Sequence, residues 1–153
     1  LGCGTGAGSR RLAELVGPSG GVVAVDRDRE SIRFARARYT AAQLGFEIGW
    51  TDTLRGELDG AFDAAIAVDA VTGPGEEAAI AELCRVVRGE GRLVFFTRER
   101  AGFGAPELGE LVGRASGEKA EVSVVEPLPG DRNAMAMIVR PPAPGGALGL
   151  GDG

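Results

Sequence analysis

The first nine residues, LGCGTGAGS, place glycine at every second position: Gly2, Gly4 and Gly6. A turn that brings backbone amides close to a ligand needs residues without Cβ atoms, so this run suits a strand-to-helix loop better than a regular element. About twenty residues further on, the run GVVAVD ends in Asp26, the interval at which a nucleotide-binding α/β domain carries an acid for the two ribose hydroxyls. Alone, the glycines also read as a tight turn in a glycine-rich protein; with Asp26 in register they read as a nucleotide cradle. The nucleoside stays open, because Gly2-x-Gly4-x-x-Ala7 also fits the dinucleotide fingerprint in its G/A form, which keeps NAD among the cofactors.

The rest of the chain alternates between two periods. Leu12, Leu15 and Val16 recur at helical spacing opposite Arg10, Arg11 and Glu14, and GPSGG at 17 to 21 ends that helix. VVAVD at 22 to 26 is β-branched without polar alternation, which predicts a strand buried on both faces. Residues 29 to 44 predict a helix with Ile32, Ala35, Tyr39 and Ala42 on one side, ended by Gly45; FEIGW at 46 to 50 predicts a strand, followed by a polar turn through Asp52. FDAAIAVD at 62 to 69 reads as a buried strand ending in an acid. GPGEE then leads into a helix with Ile80, Leu83, Cys84 and Val87 on its stripe, and GRLVFFT at 91 to 97 is the next strand. Such alternation argues for βαβ units with right-handed crossovers and a mostly parallel, doubly wound sheet.

After residue 97 the pattern changes. A short helix around Leu108, Leu111 and Val112 precedes EVSVV (121 to 125), PLPGDRN and AMAMIV (134 to 139), two strands joined closely enough to form an antiparallel hairpin. PPAPGGALGLGDG at 141 to 153 has no periodicity and is expected to be a flexible tail, which makes 1 to 140 the folded domain.

Composition narrows the function classes. A net charge of -5 gives no general attraction to phosphate backbones or anionic membranes; the arginines at 29, 33, 36 and 38 read as a solvated helix face. The absence of histidine removes His-based triads and His metal sites. Cys3 and Cys84 lack CxxC spacing, so neither a disulfide framework nor a zinc site is indicated, and a reducing cytoplasm is expected. No apolar run is long enough to span a bilayer.

LGCGTG, GVVAVDRD, GWTDTL, FDAAIAVDAV and LCRVVRGEGRLVFF, in this order, resemble the successive motifs of class I S-adenosylmethionine-dependent methyltransferases over nearly all of residues 1 to 140. The resemblance implies a Rossmann-like sheet closed by one reversed strand, S-adenosylmethionine as cofactor, and methyl transfer to an O, N or C atom of a small molecule. In that family the glycine turn follows a first strand whose end carries an acid. Leu1 is all that would remain of that strand, so the chain is expected to be N-terminally incomplete and poorly stable or aggregation-prone.

Carried over by position, Gly2, Cys3, Gly4, Thr5 and Gly6 would line the methionine and ribose region, Asp26 would hold the ribose hydroxyls, and Arg27 would flank adenine. Asp52, with Thr51 and Thr53 beside it, corresponds to the acid on the adenine amino group. Asp69, at the end of the fourth-strand run, is the candidate catalytic base and a further cofactor contact, with Glu99 a weaker candidate; as a loop or capping residue it has an ordinary reading too. Where many small-molecule members have histidines, this chain has Thr72 and Gly73. The NPPY-type tetrapeptide of amino-methylating nucleic-acid enzymes has no counterpart, since the position reads VDAV. Trp50, Phe46, Phe95 and Phe96 read as strand core. The loop TRERAGFGAPE at 97 to 107 suits a mobile cover over the acceptor. The alternatives are a catalytically inactive cofactor-binding module acting through a partner, and an NAD-binding oxidoreductase domain.

Overall fold

The opening turn runs straight into α1, Ala7–Val16, with Gly6 at its N-cap. These features belong to a computed structural model that describes residues 1–50, 58–72, 76–98, 103–116, 121–125 and 134–140. α1 buries Ser9 and Ala13, whereas Leu15 is 67% exposed and Val16 also faces outward. The expected stripe is thus rotated. A Cβ on Gly6 would lie 2.8 Å from the Phe46 ring and 2.9 Å from the Ala35 Cβ, and a helix seated that closely can present only small residues inward.

β1 (Val22–Asp26) and β2 (Leu44–Ile48) pair in parallel, from Val22 opposite Leu44 to Asp26 opposite Ile48. Between them lies α2, Arg29–Arg38, capped by the Asp28 carboxylate, which accepts from the Glu30 and Ser31 amides. α2 is shorter than its sequence pattern suggests: Tyr39 is already extended, and β2 starts at Leu44, with Gly45 inside the ladder. Burying Leu44 and Phe46 on one face of β2 needs period-two geometry, which overrides the helix propensity of the alanines before it. Arg36 then lays Nε and Nη2 on the Phe46 carbonyl, at 2.9 and 2.6 Å. β1 is not covered evenly, since Ala24 and Val25 are buried but Val23 is exposed.

The second half builds a larger core. β3 (Phe62–Val68) pairs in parallel with β4 (Val87–Arg98), from Ala64 opposite Arg92 to Val68 opposite Phe96. Residues 88 to 91 bulge out of that ladder between the Phe62–Val87 and Ala64–Arg92 pairs, so its regular part begins next to Gly91, where the sequence reading starts the strand. α3 (Glu77–Val86) buries Ile80, Leu83 and Val86, and Val87 completes its stripe from the first position of β4. α4 (Ala105–Ser116) adds Leu108, Leu111 and Val112. β5 (Glu121–Val125) and β6 (Ala134–Arg140) form the expected hairpin. β6 is antiparallel to both neighbours, giving the order β3-β4-β6-β5.

Leu1 joins the two sheets. Its amino group donates to the Ile66 carbonyl at 2.7 Å and its carbonyl accepts from Val68 N at 3.0 Å, one rung of a parallel ladder. Gly2 and Cys3 both donate to the Val25 carbonyl, at 2.9 and 3.2 Å. The glycine turn therefore lies between the carboxyl ends of β1 and β3, where open α/β sheets bind ligands. No helix among the described residues is long and apolar enough to cross a membrane.

Candidate functional site

The three glycines of the turn have different work. Gly2, at φ 74°, lies so close to the Val68 carbonyl that a Cβ there would overlap it. Gly6 is hemmed in by Phe46 and Ala35. Gly4, at φ 51°, has nothing within 4 Å of where its Cβ would stand. Two glycines thus let the protein close on itself, and the third leaves an open surface on the turn.

Asp26 anchors that surface. Its Oδ2 accepts from Gly4 N at 2.7 Å and its Oδ1 from Asp28 N at 2.9 Å. Each carboxylate oxygen has two acceptor positions, so each keeps one for a ligand hydroxyl. α1 begins at the same turn, with no acid in its first turn and no side-chain cap, so its positive end favours an anionic group such as an amino-acid carboxylate. A nucleoside carrying an amino-acid group fits this set: hydroxyls on Asp26, a carboxylate at the helix end, and Gly4 leaving room for close approach.

The other expected site residues take varied positions. Thr5 is exposed and borders a shallow concavity of about 430 Å³ against α2, lined in part by Asp28, Ser31 and Phe34. Cys3 is half-buried, and burial together with the Asp26 charge pushes its thiol pKa up, which makes it a space-filling residue rather than a nucleophile. Arg27 lies over the Trp50 ring, its Cζ 4.9 Å from the centroid. Thr51, Asp52 and Thr53 lie outside the described residues, as do Gly73, Glu99 and the tail.

Asp69 reaches the same edge in a left-handed conformation, φ 46°, a region uncommon for non-glycine residues that aspartate enters more readily than most. Its amide donates to the Phe96 carbonyl at 2.8 Å; its carboxylate accepts from Arg98 N at 3.2 Å and faces Arg98 Nε at 3.6 Å. The candidate base is therefore tied to the end of β4. Arg98 was not singled out by sequence, although it closes the strand run that carries Phe95 and Phe96. Thr97 was missed as well: it is 1% exposed, and its hydroxyl has no partner among the described residues. A polar residue inside an apolar strand run was the available signal. Two of the aromatics read as strand core depart from that reading: Trp50 lies two residues beyond β2 and is only half-buried, and Phe96, in β4, is exposed.

Comparison with known proteins agrees with this arrangement. The family model described as a methyltransferase domain matches residues 1–91. No curated protein sequence matches the chain. Among solved structures, a TehB-like SAM-dependent methyltransferase from Corynebacterium glutamicum superposes with a TM-score of 0.68 at 16% identity, over 92% of this chain and 77% of the other. A SAM-dependent methyltransferase from Methanosarcina mazei gives 0.68 at 19%, over 94% and 91%. The [4+2]-cyclase SpnF gives 0.71 at 18%, over 94% and 73%. The reversed β6 and the family match favour a methyl donor over a dinucleotide, and the chain belongs to the methyltransferase domain family, the S-adenosylmethionine-dependent enzymes of the class I fold.

Proposed function

We propose that the chain transfers the methyl group of S-adenosylmethionine to an O, N or C atom of a small-molecule acceptor held over the carboxyl edge of the sheet. The observation that carries this reading is the Asp26 carboxylate, fixed by the Gly4 and Asp28 amides beside an open glycine turn. Gly2, Cys3, Gly4, Thr5 and Gly6 line the donor's ribose and methionine region, Asp26 accepts from the ribose hydroxyls, and Arg27 flanks adenine, with Thr51, Asp52 and Thr53 assigned to its amino group.

The bound donor supplies a methyl group already activated by its sulfonium, so no covalent enzyme intermediate is needed. This chain's residues have to hold donor and acceptor in attack geometry and keep water away. For an acceptor that must lose a proton, Asp69 is the carboxylate placed at that edge, steadied by Arg98. The acidic net charge and the VDAV sequence favour a small acceptor over nucleic acid.

Calorimetric titration with S-adenosylhomocysteine tests the reading. Wild-type protein should bind it, and Asp26→Ala should lose about a hundredfold in affinity, the scale of two charge-assisted hydrogen bonds. Binding of NADH alone would move the site to the dinucleotide class. Tight S-adenosylhomocysteine binding with no turnover in a broad acceptor screen would favour a cofactor-binding module acting through a partner.

A further inference from the structure

A cation whose charge the fold barely uses stands at the carboxyl edge of the sheet. Asp69 follows Val68, whose carbonyl a Cβ on Gly2 would overlap, so Asp69 adjoins the glycine turn at the end of β3. Arg98 ends β4 and meets it there. The grip on Asp69 comes from the Arg98 backbone, whose amide donates to the Asp69 carboxylate at 3.2 Å. The side chain adds little, since Arg98 Nε stands 3.6 Å from Asp69 Oδ2, beyond hydrogen-bond length. By contrast, Arg33 and Arg88 reach their carboxylates at 2.7 Å. The Arg98 side chain is 72% exposed, and its two Nη groups have no partner among the described residues. A strand-end arginine elsewhere would be a solvated charge; this one stands beside the carboxylate assigned above to the acceptor's proton.

We propose that Arg98 selects the acceptor: a small organic acid docks its carboxylate on the Nη edge of Arg98 while its proton-bearing group faces Asp69. The inference rests on the S-adenosylmethionine reading above and narrows its acceptor to acids. A guanidinium presents two parallel N–H groups that match the two oxygens of a carboxylate. Its charge also offsets the repulsion that an anionic acceptor would meet from Asp69 and Asp26. Because the backbone amide of Arg98 holds Asp69, the side chain can turn to a ligand without releasing that carboxylate.

The test starts from protein saturated with S-adenosylhomocysteine. Ligand-observed NMR titrates it with hydroxy- and amino-substituted aliphatic and aromatic carboxylic acids, and with the primary amide of each. The acids should bind, and the amides should be weaker on the order of thirtyfold. Arg98→Gln should erase that difference and leave S-adenosylhomocysteine affinity at the wild-type level. Arg98→Lys should restore part of it, as a point charge without the fork. Asp69→Asn should tighten the acids, by removing a neighbouring negative charge, and leave the amides unchanged. Circular dichroism of each variant checks that it is folded. Equal binding of acids and amides, no binding of either, or an acid preference that survives Arg98→Gln overturns the acid site and leaves the donor site standing. An acid preference indifferent to Asp69→Asn places the bound acid elsewhere and overturns it too. No S-adenosylhomocysteine binding by folded wild-type protein overturns both readings.

Discussion

The half of the molecule built on β1, β2, α1 and α2 and the half built on β3 to β6, α3 and α4 achieve order differently. The first packs small residues, Ala13, Ala24 and Ala35, around Ile32, Leu44 and Phe46. The second fills its interior with bulk: Ile80, Leu83, Leu93, Phe95, Phe103, Leu108 and Leu111. Close approach in the first half brings the backbone of the glycine turn against β1 and α2, which the proposed donor site requires. Volume in the second half holds the strand ends that carry Asp69 and Arg98. The difference teaches that the half carrying the proposed donor site is sensitive to single added atoms, and the supporting half to atoms removed.

Phe95→Ala should separate the halves most strongly. Phe95 is 1% exposed, and truncation should cost about 3–5 kcal/mol in a denaturant titration, while S-adenosylhomocysteine affinity of the folded protein changes little. Equal damage to affinity would break the comparison. Gly6→Ala comes next, at about 2–4 kcal/mol, because it adds both a left-handed side chain and overlap with Phe46. Gly4→Ala should cost only about 1–2 kcal/mol of stability. Its new Cβ enters the open side of the turn, so affinity should fall further than stability does. Thermal melts with and without ligand distinguish the two glycines.

A smaller effect sharpens the picture. Thr97→Val removes a buried hydroxyl without a described partner and should stabilise the protein by about 1 kcal/mol in urea unfolding; a loss instead would mean that the hydroxyl is satisfied.

Much of the fold was legible because β-branched runs and helical stripes are local signals. Val22 to Asp26, Phe62 to Val68 and the closing hairpin all lie where the pattern places them. The end of α2 was not legible, because the burial of Leu44 and Phe46 decides it from outside the segment. The turn and Asp26 were readable as a pair, but three glycines that look equivalent in sequence divide into two that admit packing and one that faces open space. Asp69 could be placed at the strand end, yet its attachment to Arg98 joins residues 29 positions apart and left no trace in either local pattern. Arg27 over Trp50 is hidden for the same reason.

The guanidinium of Arg36 on the Phe46 carbonyl has a consequence beyond β2 itself. Among the described residues β2 pairs only with β1, so its far side offers bare backbone acceptors to any stray extended peptide. Arg36 occupies one of them with two N–H groups and sets a charge beside it. Recruitment of a foreign strand there would first have to dislodge this plug, a built-in discouragement to fibril growth along the border of the sheet.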